Sequence, residues 1–174
     1  MVNFLKAVLV AIILFALTSC ATTRSVSDGT PVSTKDGVLV FHVNTKFPWA
    51  QLQYRKFSTN ASFGYFFAEE FTGPDGSFLN KEGETYWVKP VKAGEYMWSK
   101  LMVDSRYAIF HGSNKFTIKP GAIMYVGHLT IEQIDGSAHI DVKDNEQDVR
   151  EYLSKNFPKY AQTMSFEKSI TTFR

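Results

Sequence analysis

Ala122-Ile123-Met124-Tyr125-Val126-Gly127-His128-Leu129-Thr130-Ile131 and, a few residues on, Ser137-Ala138-His139-Ile140-Asp141-Val142-Lys143 are the stretches that decide the fold. The second alternates cleanly. Ala138, Ile140 and Val142 fall on one face and His139, Asp141 and Lys143 on the other, as expected of a strand with one wet side. The first is apolar on both faces, because a strict two-residue period places Ile123, Tyr125, Leu129 and Ile131 against Met124 and Val126. A strand of that kind is central. Pro120-Gly121 supplies the turn that leads into it, since Pro fixes φ and Gly accepts φ > 0. Asp135-Gly136 marks a hairpin between the two strands.

Outward from this pair, short β-rich stretches recur between Gly, Pro, Asn and Asp: Val38–Val43, Gln51–Phe57, Ser62–Glu69, Thr85–Val91, Gly94–Val103, Arg106–His111 and Phe116–Ile118. The spacing predicts a mainly β chain, an antiparallel β-sandwich of about 7–9 strands spanning residues 37–174 as one domain. A single C-terminal amphipathic helix is predicted over about 145–157. Asp144 would cap it with Gln147 reaching back, Val149, Tyr152, Leu153 and Phe157 recur at helical spacing, and Pro158 blocks continuation. This helix is expected to pack against a sheet edge or end. Tyr160 to Arg174 reads equally as a short helix or a strand.

Composition narrows the function classes. The chain has 174 residues, 44% hydrophobic and 21% charged, with a formal net charge of +2. Apolar content is too high for disorder, and the charge offers no dominant basic field for nucleic acid. A single cysteine excludes a disulfide scaffold and multi-cysteine metal sites.

That cysteine sits at the end of an N-terminal segment with Lys6 followed by an apolar run from Ala7 to Leu17. At about 1.5 Å per residue the run reaches roughly half of a ~30 Å hydrocarbon core, which suits the apolar region of a secretory signal. Its ending, Leu17-Thr18-Ser19-Cys20, resembles the lipobox of bacterial lipoproteins. The resemblance implies that residues 1–19 are a signal peptide removed in processing and that Cys20 becomes the first residue, lipid-attached through acyl chains. An ordinary signal cut after Ala21, with Cys20 discarded, stays open. In lipobox proteins an Asp after the Cys tends to retain the product at the inner membrane. Ala21 stands here, so the resemblance favours the outer membrane. Residues 20–36, rich in Ser and Thr, read as the lipidated Cys and a flexible tether averaging roughly 20–25 Å end to end.

Within the folded part, Ala93-Gly94-Glu95-Tyr96-Met97-Trp98 and Lys119-Pro120-Gly121-Ala122-Ile123-Met124-Tyr125-Val126-Gly127 resemble the strand pairs of prealbumin-like, carboxypeptidase-regulatory-like sandwich domains. That resemblance, confined to residues 85–130, implies a seven- to nine-stranded sandwich used for binding or structure. It transfers no functional residue.

Residues able to carry chemistry are sparse. His42, His111, His128 and His139 are the groups that titrate near neutrality. His128 and His139 flank the hairpin, but its midpoint misses the Asp135-Gly136 turn, so the simple register does not oppose them. A metal site with Asp141 would need a shifted register or a bulge. There is no Gly-x-Ser-x-Gly elbow, and Glu69-Glu70 and the Glu82/Glu84 pair lie beside turns. Aromatic richness is the more suggestive feature. Trp49, Phe63, Tyr65 and Phe67 form a candidate binding surface, because successive aromatics on a strand point to both faces. The alternative is that such residues fill the core.

These readings describe a lipid-anchored envelope lipoprotein acting as a non-catalytic binding or structural module, with no cofactor, no metal and no nucleic-acid partner. Its partners would be membrane lipid through Cys20 and another envelope protein or a glycan. An assembly or accessory factor of an envelope or secretion system, or a small envelope hydrolase, are the alternatives.

Overall fold

Two stretches expected to be separate strands, Val38–Val43 and Gln51–Phe57, are one. The computed structural model describes residues 25–57, 74–110 and 114–173, and in it β1 runs unbroken over Asp36–Lys56. Its antiparallel partner β2 (Gly76–Lys92) follows it along almost its whole length, from Asp36 opposite Lys92 to Tyr54 opposite Gly76. The ladder is interrupted between Thr45 and Trp49, where the Thr45 hydroxyl accepts from the Phe47 amide at 3.2 Å and Pro48 faces solvent. The irregularity bends the ribbon instead of ending it.

The bend creates two layers from one hydrogen-bonded sheet. The first half of β1 pairs with β6 (Ala122–Ile134), which is flanked on its other side by β7 (Ser137–Lys143) and by β8 (Ser165–Lys168). The second half of β1 pairs with β3 (Gly94–Val103), which carries β4 (Arg106–Ile109) and β5 (Lys115–Ile118) along its far side. The expected strand Ser62–Glu69 lies outside the described residues; among those described, all eight strands belong to one sheet, and the fold is mainly β and sandwich-like. It is not wholly antiparallel as expected. β1 with β6 and β6 with β8 run parallel, because each pair is joined by a long excursion through other elements instead of a tight turn.

Aromatic side chains fill the space between the layers. The Phe41 ring from the first layer meets Phe78 at 4.7 Å and Trp98 at 5.2 Å, and Trp98 meets Phe116 at 4.9 Å, mostly edge-on. Asn80, fully buried among them, donates to the Ala50 and Phe78 carbonyls and accepts from the Trp87 indole at 2.7 Å, so its own polar atoms are paired.

β6 is central, as its composition predicted, but a bulge breaks its two-residue phase. Tyr125 lies beside Val40 and His128 beside His42, so β6 spends three residues where β1 spends two. Gly127 takes φ 123°, and a Cβ there would collide with Val142 Cγ1. As a result Leu129 and Ile131 join Met124 and Val126 in the interlayer core, while Ile123 and Tyr125 face the opposite way.

There they meet the helices. α1 (Glu146–Asn156) and α2 (Pro158–Thr163) lay Val149, Leu153, Phe157 and Tyr160 over Val38, Val40, Val88, Ile123 and Tyr125. The predicted stripe is therefore real, but it covers a sheet face and not an edge or end. The expected cap differs as well. Asn145 holds the N-cap position without a side-chain hydrogen bond, and Asp144 instead pairs with Lys168 Nζ at 3.0 Å. Beyond Pro158 the chain contains both a short helix and a strand.

Residues 25–35, read from sequence as part of the tether, run against the domain. The Val26 amide donates to the Val88 carbonyl at 3.0 Å, and Val26 and Val32 pack on the cluster beneath the helices.

Candidate functional surface

The helix-covered layer holds a polar cluster. On β1 the side chains of Val38, Val40 and His42 share the face toward the helices, and on β2 Tyr86 lies directly opposite His42. The β6 bulge turns His128 to the same face. The two imidazoles stand 4.5 Å apart between centroids, and the His42 ring is 4.5 Å from that of Tyr86. Tyr152 of α1 closes the top by stacking on Tyr86 at 4.0 Å.

His128 is held by two tyrosines. Its Nδ1 lies 2.7 Å from the Tyr125 hydroxyl, which also accepts from the Asn145 amide at 3.0 Å, and its Nε2 lies 3.5 Å from the Tyr86 hydroxyl. The one Tyr125 hydroxyl proton goes either to Nδ1 or to the Lys143 carbonyl at 3.3 Å, and the two choices correspond to opposite tautomers of a neutral His128 ring. Burial and the neighbouring His42 push His128 down to about 4, and burial pushes Tyr125 up to about 12. His42 is also pushed down by burial, opposed in part by the carboxylates of Glu84 and Asp148. Its Nε2 makes no hydrogen bond, and Glu84 stands 3.9 Å away. Both rings are thus kept neutral at pH 7, as a polar inlay between a sheet and a helix. Among the described residues no group of three or more His, Cys, Asp or Glu is gathered to hold a metal ion.

Register explains why the hairpin pairing of histidines does not form. Asp135 and Gly136 both take positive φ in the turn, His139 falls opposite Glu132, and His128 falls opposite Lys143. The partner of His128 comes from β1, 86 positions earlier, through a parallel ladder.

Among the described residues no helix lies over the other layer. Across its outer face the ladders align Leu79, Gln51, Met102 and Tyr107 in one row, and Ser77, Gln53, Lys100 and Ile109 in the next. Trp49 opposite Lys81 extends the pattern toward the bend. At the usual strand spacing each row of four spans roughly 14 Å. Leu79 is 49% exposed, Tyr107 66% and Ile109 39%, while Trp49 and Met102 are half-buried. Lys100 Nζ sits 5.2 Å above the Tyr107 ring, and the Gln53 amide donates to Met102 Sδ at 3.5 Å. These ten positions include five large apolar side chains, two lysines and no carboxylate.

Of the residues read as a candidate binding surface, Trp49 lies on this face. Phe63, Tyr65 and Phe67, like Cys20 and His111, fall outside the described residues. Trp87, Tyr96 and Trp98 are core residues. The rest of the face was hidden from sequence reasoning because its members come from four strands whose registers had to be known. One signal was available: Leu79 and Met102 alternate with Phe78, Leu101 and Val103, which are core.

Two clefts lie elsewhere among the described residues. One of about 520 Å³ lies between residues 29–34 and α2, lined by Thr30, Val32, Lys159 and Met164 among others. One of about 250 Å³ lies between β4 and the Asp135-Gly136 turn, bridged by Arg106 donating to the Gly136 carbonyl at 2.8 Å. Neither is lined by a carboxylate, imidazole or thiol.

No protein-family model matches the chain, and no curated protein matches it. Among solved structures it is similar to the crystal structure of the T6SS lipoprotein TssJ1 from Pseudomonas aeruginosa, with 11% identity and a TM-score of 0.31 over 64% of this chain and 98% of that one.

Proposed function

We propose that the protein is a lipid-anchored envelope lipoprotein that acts without catalysis, docking another envelope protein on the bare face of its second layer. The observation that carries this reading is the asymmetry of the sandwich. Among the described residues helices cover one layer, while the other leaves Trp49, Leu79, Met102, Tyr107 and Ile109 on its outer face among amides and lysines. Aliphatic Leu79, Met102 and Ile109 suit a protein surface better than a sugar, which stacks on aromatic rings. Attachment through Cys20 and an outer-membrane destination rest on Leu17-Thr18-Ser19-Cys20 and on Ala21.

The test is site-specific photo-crosslinking in the native envelope from positions 79 and 107, with position 151 on α1 as control. A discrete protein adduct from the first two and none from the third is expected. Equal adducts from all three, capture of glycan, or no adduct would refute the assignment of the face. The anchor is checked separately, because Cys20→Ser should release the protein from membranes. An unmodified thiol at Cys20 in the mature product would refute lipidation.

A further inference from the structure

Residues 25–35 have the composition of a linker but hydrogen bonds like those of an added element. Ser25 Oγ donates to the Tyr86 carbonyl and accepts from the Val88 amide, each at 3.3 Å, and the Val26 amide returns a bond to the Val88 carbonyl. The start of the segment therefore lies along the edge of β2 that faces away from β1.

A second fastening follows three residues later. The amides of Lys159 and Tyr160 at the start of α2 have no side-chain cap from their own neighbourhood. Asp28, more than 130 positions earlier, accepts from both, through Oδ2 at 3.2 Å and Oδ1 at 3.3 Å. Tyr160, itself buried, then donates its hydroxyl to the Thr30 carbonyl at 2.8 Å. Beyond these points Val32 packs on the cluster beneath the helices and the Lys35 carbonyl accepts from the Ala93 amide at 3.0 Å, while Gly29, Thr30, Pro31, Ser33 and Thr34 are exposed along the larger cleft. Its apolar contribution to the helix-side cluster is confined to the half-buried Val26 and Val32.

Its position gives the fastening a consequence. Cys20 is five residues before Ser25 and sixteen before Asp36, where β1 begins. At up to about 3.6 Å per residue the fastened chain reaches at most about 18 Å from Cys20, and the released chain about 58 Å. We propose that residues 25–35 are a detachable clasp, closed by Asp28 and Tyr160, which sets how far the domain stands from the bilayer and which edge it turns toward it. Closed, it holds the β2 edge near Tyr86 at the membrane. Open, it frees the domain to reach a partner farther out. The reach rests on the reading of Cys20 as the lipid-bearing residue; the clasp itself does not.

Two measurements separate these parts. In unlipidated mature protein carrying Cys20→Ser, hydrogen exchange should show the amides of Val26, Lys159 and Tyr160 protected. All three should exchange at least 10-fold faster in the Asp28→Ala/Tyr160→Phe variant, with Val40 and Tyr125 unchanged. Unprotected Val26 in the parent, or identical exchange in the variant, would overturn the clasp. Loss of protection at Val40 would mean that the segment is part of the core, and would overturn it too. In the second measurement, lipidated protein with a donor fluorophore at Lys155→Cys is placed on phosphatidylethanolamine/phosphatidylglycerol vesicles bearing a lipid-phase acceptor. Energy transfer should fall when the clasp variant is introduced. Equal transfer from bound protein overturns the spacing role, whereas failure to bind vesicles at all refutes the lipid anchor and leaves the exchange result standing.

Discussion

Acidification from pH 7 to 5 should weaken the fold through His128, and the structure sets both sign and size. The folded-state value is held near 4, whereas an exposed histidine in the unfolded chain titrates near 6.5. Between those limits the unfolded chain binds more protons, so stability falls as pH falls. His128 contributes its full effect above about pH 6.5, loses it progressively toward pH 4, and adds no further slope below. The whole window corresponds to roughly 3 kcal/mol and the part down to pH 5 to about 2 kcal/mol, with His42 acting in the same direction. This is a large share of the ~5–15 kcal/mol typical of a domain. Carboxylates confuse the reading at lower pH. Glu146, depressed by its bonds to Lys168 and Arg150, loses its contribution only near and below the usual carboxylate range. Urea unfolding of unlipidated protein should therefore be followed by tryptophan fluorescence at pH 7, 6 and 5, in parent and His128→Gln. The amide can still accept from Tyr125 and donate to Tyr86 but takes up no proton, so the difference between the two proteins should shrink by about 2 kcal/mol over that interval. Parallel pH profiles, or an NMR titration of the His128 ring with a midpoint near 6.5, would refute the reasoning.

Three further outcomes can be checked by the same unfolding assay. Gly127→Ala places a methyl against Val142 at a positive φ and should cost at least about 2 kcal/mol, more than an alanine at the exposed turn glycine Gly136. Asn80→Ala strips the Trp87 indole of its acceptor in a dry site and should cost about 1–3 kcal/mol, with a shift in tryptophan emission. Phe41→Ala removes the ring that touches both Phe78 and Trp98 and should cost about 3–5 kcal/mol, whereas Tyr107→Ala on the bare face should change stability by less than about 0.5 kcal/mol.

What could be read from sequence was whatever depends on a local period. β7 alternates because one side is wet, and Val149, Tyr152, Leu153 and Phe157 mark the buried stripe of α1 because a helix repeats every 3.6 residues. A single bulge residue defeats that logic. Gly127 shifts the phase of β6, so an alternation counted through it assigns Leu129 and Ile131 to the wrong side. Val38–Val43 and Gln51–Phe57 read as two strands, yet β1 continues through Phe47-Pro48-Trp49 and its pairing with β2 resumes at Trp49. At the level of sites, Trp49 stood out as an aromatic beside a proline. The His42–His128 pair did not, because its register is parallel and long-range. The docking of residues 25–35 was equally hidden, for it depends on Asp28 meeting two amides over a hundred positions away and not on composition.

The parallel ladder between β1 and β6 also bears on the order in which the chain can fold. Val38 waits for Ile123, 85 positions later, so the first strand to emerge is among the last to gain its full set of neighbours. Contacts this distant along the chain carry a high loop-closure entropy and slow the search to milliseconds or longer. A nascent chain would thus stay pliable until β6 had been made.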